Sequence, residues 1–330
     1  MKALSKIKKL LSKWRVEMPT AVRIDICSIC QLNCTGCFMR KGDYLNVGAG
    51  RIKYDDFVSF INRHPFIKTI EVSAFGEFTL HPDIIRMMEF AHSKGVRLTA
   101  NQGTNFNTIA LDIAEAMVKY EFEGLTISLD GASQETYSKY RVGGNFDQVI
   151  LNIRLVNAIK KKYGSEYPHM DWKYVILPTN DSEAEIKKAK EMASALGMKK
   201  VLFVKDFNNY VPKDLEMIKR ETGLDYVSGR SSQSDMSRRF LPCVQLFKSP
   251  QINWDGRLLG CCCNPKLGDF GFNVFKIGLK KGLSSKIVRA TKNMLMGGKP
   301  CEESPCYRCY TYKNMCARNH FLSQDELDDA

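Results

Sequence analysis

Apolar and polar residues alternate along this chain in two rhythms. Short β-rich runs recur at "AVRIDI" (21–26), "TIEVSAF" (69–75), "VRLTAN" (96–101), "GLTISLD" (124–130), "MDWKYVIL" (170–177) and "KVLFV" (200–204). Between them lie segments with helical spacing. One sets Ile109, Ile113, Ala116, Met117 and Tyr120 on a single face, and another sets Ile186, Ala189, Ala193 and Leu196 before a capping Gly197. Six strands alternating with helices predict an α/β fold with a parallel sheet and helices outside it. Periodicity leaves open whether the sheet is open or a partial barrel. Residues 205–240 break the rhythm with "DFNNY" and "SGRSSQSDMSRR", which read as a linker. Glycine-rich short pieces follow. The chain thus divides into an N-terminal segment 1–20, an α/β body 21–240, a smaller unit 241–320 and an acidic tail 321–330.

At 330 residues, with 44% hydrophobic and 26% charged side chains, this is the composition of a globular protein. No apolar run reaches the roughly 20 residues that span a bilayer, and no signal-like core opens the chain, so a cytoplasmic location is expected. The net charge of +13 is spread along the chain, which argues against a specific nucleic-acid surface. Its densest part is "MKALSKIKKLLSKWR", where Leu4, Ile7, Leu11 and Trp14 share one helical face and lysines occupy the others. That helix suits docking on the protein body; its other reading, for residues 1–15, is weak contact with an anionic membrane surface.

Twelve cysteines change the picture. A reducing compartment disfavours disulfides, and clustered spacing favours metal ligation. One group lies in "CSICQLNCTGCF" (27–38) and the other between Cys243 and Cys316, with none between the groups. Cys30, Cys34 and Cys37 form a C-x3-C-x2-C run directly after the first strand. Soft thiolates suit zinc and iron–sulfur clusters alike. With Cys27 as a fourth ligand the set reads as a closed zinc knuckle, and the chain as a non-enzymatic zinc-binding interaction module. With three ligands it reads as a four-iron cluster with one open iron.

The second reading resembles the radical S-adenosylmethionine (radical SAM) superfamily, and the strand ends add to the resemblance. "SAFGEFTLHP" is similar to that family's Gly-Gly-Glu stretch, "ANQGT" to its Asn-Gly motif, and "SLDGASQETYSKYRVGGNF" to its Ser-x-Asp-Gly…Tyr…Arg segment. The resemblance implies a partial (β/α)6 TIM-like barrel and a [4Fe-4S] cluster on Cys30, Cys34 and Cys37, its open iron chelating S-adenosylmethionine (SAM). It implies SAM contacts from Phe38, Gly76, Glu77, Asn101, Ser128, Asp130 and Arg141. Ser128 and Asp130 would face the ribose, and Arg141 the methionine carboxylate. Two positions depart from the family pattern: Gly36, where an aromatic residue is usual, and Phe78, in place of a proline.

"CVQLFKSPQINWDGRLLGCCCN" and "PCYRC" resemble the C-terminal SPASM or twitch extension, a small iron–sulfur domain. The resemblance implies a hairpin turning at Asp255-Gly256 and at least one auxiliary [4Fe-4S] cluster on Cys243, Cys261, Cys306 and Cys309. A second cluster would draw on Cys301 and Cys316, although His320 stands where a cysteine is usual. Cys262 and Cys263 remain, either as buried thiols or as hydrogen-atom donors to a substrate radical. The family chemistry implies a flavodoxin or ferredoxin-type electron donor, cleavage of SAM to a 5′-deoxyadenosyl radical, and hydrogen abstraction from a substrate carbon. The expected substrate is a carbohydrate-like small metabolite that is dehydrogenated or epimerised; the alternative is a peptide, modified by a maturase.

Overall fold

The computed structural model describes residues 18–37, 39, 46–206, 210–226 and 242–329. Phe38 and the basic segment through residue 15 lie outside the described residues. The six predicted strands are present as β1 (Ala21–Ile24), β2 (Thr69–Glu71), β3 (Arg97–Thr104), β4 (Gly124–Ser128), β5 (His169–Ile176) and β6 (Val201–Lys205). Two more, β7 (Gln251–Ile252) and β8 (Leu258–Gly260), extend the same sheet. The order is β6-β5-β4-β3-β2-β1-β7-β8, parallel except for the antiparallel β7–β8 hairpin. The sheet is open, with β6 and β8 at its edges, as a partial barrel requires.

Side chains alternate with period two along each strand, and the two faces differ sharply. Val22, Ile24, Ile70, Leu98, Leu125, Ile127, Trp172 and Tyr174 are buried in the main apolar core. The opposite face carries Arg23, Glu71, Thr99, Thr126, Asp171 and Lys173. Register places Arg23 between Glu71 and Gln251, and Thr126 beside Asp171. One sheet face is therefore an apolar core and the other a polar face, much of it buried.

The helices cover the core by the same logic. In Tyr54–Arg63, Phe57, Phe60 and Ile61 point inward at i, i+3 and i+4, while Asp55 and Asp56 occupy the first turn, where the helix dipole favours negative charge. Phe57 and Phe60 are essentially inaccessible, so truncating either to alanine costs about 3–5 kcal/mol. Helix Glu183–Ala195 buries Ile186, Ala189 and Ala193, is capped by the Ser182 side chain, and stops at Gly197, whose φ of 65° suits glycine.

Two features were not expected from the pattern. Inside the presumed linker, Leu215–Thr222 is a helix, capped by Asp214 accepting from the Met217 N–H and ended by Gly223 with φ 71°. It buries Met217 and Ile218, packs on helix Glu183–Ala195, and is tied to it by Lys190–Glu221 at 3.0 Å. The second feature is β7, which pairs directly with β1, so the C-terminal cysteine-rich region shares the sheet of the α/β body. Among the described residues no helix is long and apolar enough to cross a membrane.

Candidate active site

The cysteine loop leaves the C-terminal end of β1 and is strapped down before the thiols begin. Cys27 bridges Arg51, and the Ser28 hydroxyl donates to Gly48 O at 2.7 Å and accepts from Gly50 N at 2.9 Å. Gly76 packs so closely here that a Cβ would lie 2.4 Å from Cys27 O, and its φ is 71°. On its side-chain side, the position expected to contact SAM is closed by the Cys27–Ser28 backbone. Cys27 itself is fully buried in the apolar core and donates to Ile29 O, so it faces away from the three-cysteine run. A closed four-cysteine zinc knuckle thereby loses its fourth ligand.

Beyond Cys27 the loop lies along the turn that follows helix Gln134–Tyr140. Asn33 N donates to Val142 O, and Thr35 N to Tyr140 O, each at 2.9 Å. This contact sets Arg141 beside the thiols: its guanidinium donates to Cys34 Sγ at 3.6 Å and to Asp130 Oδ2 at 2.6 Å. Asp130 is fully buried, with Oδ1 held by Val175 N at 2.8 Å. Both its oxygens are engaged, so it charges and aims Arg141 rather than facing a ribose. Burial works against the charge on Arg141, but Asp130 and Cys34 outweigh it, and its pKa is raised.

Cys34 is buried, Cys30 is half-buried and Cys37 is exposed, so the run opens toward solvent on one side. Burial pushes the Cys30 thiol up to about 12, helped by Glu77, Cys34 and Cys37 around it. Cys34 is raised by burial, with Arg141 opposing. These environments favour protonated thiols until a cation offsets the desolvation, which suits cysteines that bind a metal centre. Among the described residues no three Cys, His, Asp or Glu side chains converge closely enough to hold a single ion. A four-iron cube is larger than one ion and holds its thiolates further apart. N–H donors at Cys30 and Cys34 would stabilise its sulfurs. The residues fit a cluster.

Glu77 is also fully buried. Its carboxylate accepts from Thr79 Oγ1, Thr104 Oγ1 and Asn105 N, at 3.1, 2.5 and 2.7 Å. Burial raises its pKa, and these hydrogen bonds oppose the rise. It joins the loop after β2 to the end of β3. Asn101 stands elsewhere: it is exposed, its N–H donates to Glu71 at 2.8 Å, and its side chain lies over Gly124. A bulge between Ala100 and Thr104 carries β3 onward, and Asn105 takes the strand-end position, its amide 3.5 Å from Cys30 Sγ and 3.2 Å from Gln31 Oε1. Phe106, next in the chain, has φ 56° in a fully buried setting, and the buried Asn152 amide holds its carbonyl at 2.8 Å. Ser128 is buried beneath Gly103 at the end of β4.

The second cysteine group converges across the hairpin. Cys243, Cys261, Cys306 and Cys309 are all buried. Burial raises the Cys243 thiol well above its ordinary range, with Cys306, Cys309 and Cys263 adding to the rise. Cys261 has Cys306 and Cys243 near it and shares a hydrogen bond with Cys263, while Asn264 donates to Cys306. These sulfurs fit one fully ligated cluster. Cys263 belongs to this sulfur group, a placement the spacing did not reveal. Cys262 is exposed at the edge of this group: its thiol shares a hydrogen bond with Cys263 and accepts from Gln245 Nε2 at 3.4 Å, its N–H donates to Gln245 Oε1 at 2.9 Å, and it lies within electrostatic reach of Arg23. Cys301 N donates to Met294 Sδ, and Cys316 neighbours Tyr312.

Similarities to known proteins bear on this geometry. Over 140 residues the chain is 26% identical to AdoMet-dependent heme synthase of Methanosarcina barkeri; the match spans 42% of this chain and 39% of that protein. In fold it is similar to Streptococcus suis SuiB bound to S-adenosylmethionine, with TM-score 0.67 and 14% identity over 98% of this chain and 81% of that one. It is also similar to anSMEcpe with bound AdoMet, with TM-score 0.59 and 16% identity over 89% and 87% of the two chains. The family model described as Radical SAM superfamily matches residues 24–171, a span that runs from the end of β1 into β5. The cysteine loop and the strand ends around it lie within the span that this model matches.

Proposed function

We propose that this chain is a radical SAM enzyme that dehydrogenates or epimerises a hydrophilic, carbohydrate-like small metabolite. With an electron from an external one-electron donor, a bound [4Fe-4S] cluster and SAM would supply the radical chemistry for hydrogen-atom abstraction from an unactivated carbon. Cys30, Cys34 and Cys37 would hold the cluster. Arg141, fixed by Asp130, would meet the methionine carboxylate, and Asn105 would orient Cys30 and the adjoining loop. Glu77 and Gly76 fix the floor of the site. Cys243, Cys261, Cys306 and Cys309 would hold an auxiliary cluster.

The observation that carries the substrate class is the polar sheet face. Arg23, Thr126, Asp171 and Lys173 stand on it, and Gln251, fully buried beside Arg23, has neither amide atom hydrogen-bonded among the described residues. Buried polar groups demand partners, and hydroxyl-rich ligands supply them. Cys262 lies toward Arg23, where a thiol could return a hydrogen atom if the product is an epimer.

A second reading, peptide modification, draws on the similarity over nearly the whole chain to SuiB, which has also been solved bound to precursor peptide SuiA. Deuterium transfer decides between the two. Anaerobically reconstituted protein with C-deuterated sugars should yield deuterated 5′-deoxyadenosine; transfer only from a peptide would overturn the metabolite reading.

A further inference from the structure

Between Asp269 and Glu302 the chain has no acidic residue and seven basic ones. Lys276, Lys280, Lys281, Lys286 and Arg289 are all exposed. Among the described residues none of them has a carboxylate within ion-pair distance. Arg63, at the C-terminal end of helix Tyr54–Arg63, joins them: its guanidinium donates to the Phe275 and Lys276 carbonyls and, among the described residues, meets no acid. Between these elements lies an open pocket of about 570 Å³ lined by Arg63, His64, Phe66, Ile277, Lys280 and Lys281. Acids on these and adjoining elements sit at far ends: Asp55 and Asp56 at the start of the Arg63 helix, and the acidic helix Gln324–Asp328, which packs on helix Pro242–Lys248 and follows Leu322, paired with Leu295 at the opposite end of its helix from Lys286.

The Lys286 end of this positive face adjoins the auxiliary cysteine region. Helix Lys286–Leu295 packs on helix Pro242–Lys248, which carries Cys243, and Lys292 Nζ sits 4.8 Å from the Phe247 ring centre. A helix with its side chains is about 10–12 Å across, so Lys286 and Arg289, on that helix, stand roughly one helix away from Cys243. Like charges crowded without counter-charges repel one another and attract an oppositely charged partner from a distance.

We propose that this face docks an acidic one-electron carrier protein of the flavodoxin or ferredoxin class. The pocket would receive an acidic side chain of the carrier, with Phe66 and Ile277 supplying apolar contact beneath the charges. The inference rests on the radical SAM reading only in that the enzyme needs such a carrier.

The test uses the reconstituted full chain and an acidic flavodoxin, with calorimetric titration at 50 and 300 mM salt. Binding should weaken as salt rises, because exposed charges are screened beyond about 10 Å already at 0.1 M. The surface variant K280E/K281E/K286E should bind at least ~10-fold more weakly at low salt. Flavodoxin-driven SAM cleavage at sub-saturating carrier should fall by a similar factor, and dithionite-driven cleavage should not change. Equal affinity of the two proteins for flavodoxin would overturn the proposal. So would charge-dependent binding to phosphatidylserine vesicles with none to flavodoxin. If dithionite itself supports no SAM cleavage in the unaltered protein, the catalytic reading fails, while the titration still decides the docking.

Discussion

Removing the Asp130 carboxylate would leave a buried guanidinium without its counter-charge. Arg141 has 16% of its side-chain surface exposed and Asp130 none. Breaking one partner of such a pair typically costs 3–5 kcal/mol, because the survivor stays charged in a poor solvent. Asp130→Ala also strips Val175 N of its acceptor, adding about 1–3 kcal/mol. Asp130→Asn keeps that acceptor and loses the charge, so it should fall toward the lower figure, about 3 kcal/mol. Arg141→Met alone strands the carboxylate at a similar cost. In the double variant neither charge is left to be unpaired, so its loss should fall well short of the sum of the singles, by at least ~2 kcal/mol. Urea unfolding of the apo chain reads all four corners of this cycle without any cofactor. Simple additivity would refute the claim that Asp130 exists to hold Arg141. SAM affinity of the reconstituted Asp130→Asn protein should drop although residue 130 itself is sealed from ligand. Unchanged affinity together with lost stability would confine the pair to a structural role.

Other consequences can be checked separately. Gly76→Ala places a Cβ 2.4 Å from Cys27 O at a positive φ, so iron retention after reconstitution should fall with a destabilisation of at least ~1–2 kcal/mol; full iron loading would contradict the close-packing argument. Two iron assays separate the centres: C306A/C309A should lose about half of roughly eight irons per chain, and C30A/C34A/C37A the other half. His64 and His81 are held neutral, their pKa values lowered chiefly by burial. His64 Nε2 accepts from Leu279 N and His81 Nδ1 from Asp83 N, so neither nitrogen can take a proton without losing a bond. The unfolded chain protonates both near pH 6.5, so it binds more protons than the folded chain below that pH. Stability should be complete above about pH 7 and fall from there toward pH 5. His64→Gln should flatten that slope, and an unchanged slope would remove His64 from the account.

Much of this was legible in the sequence because local patterns carry it. The six parallel strands show as β-rich runs, and the three-cysteine spacing survives any rearrangement of the loop. What was illegible depends on pairing between distant segments. Nothing in "PQIN" says that β7 lies beside β1. The bulge after Ala100 is equally silent, so the strand end was placed at Asn101 when the chain reaches Cys30 four residues later, at Asn105. Asp130 was assigned to a ligand because its motif is exposed to reading; that its carboxylate is spent on Val175 and Arg141 is a matter of packing. Helix Leu215–Thr222 was different. Asp214 and Gly223 are ordinary start and stop signals, masked by the polar residues that surround them.

The account turns on an iron centre held at Cys30, Cys34 and Cys37 with one position left for SAM. Electron paramagnetic resonance of the dithionite-reduced C306A/C309A protein addresses it directly, since the auxiliary signal is then removed. A reduced four-iron signal that changes shape when SAM is added is the expected result. A signal indifferent to SAM, or no iron–sulfur signal in protein loaded with iron and sulfide, would contradict it.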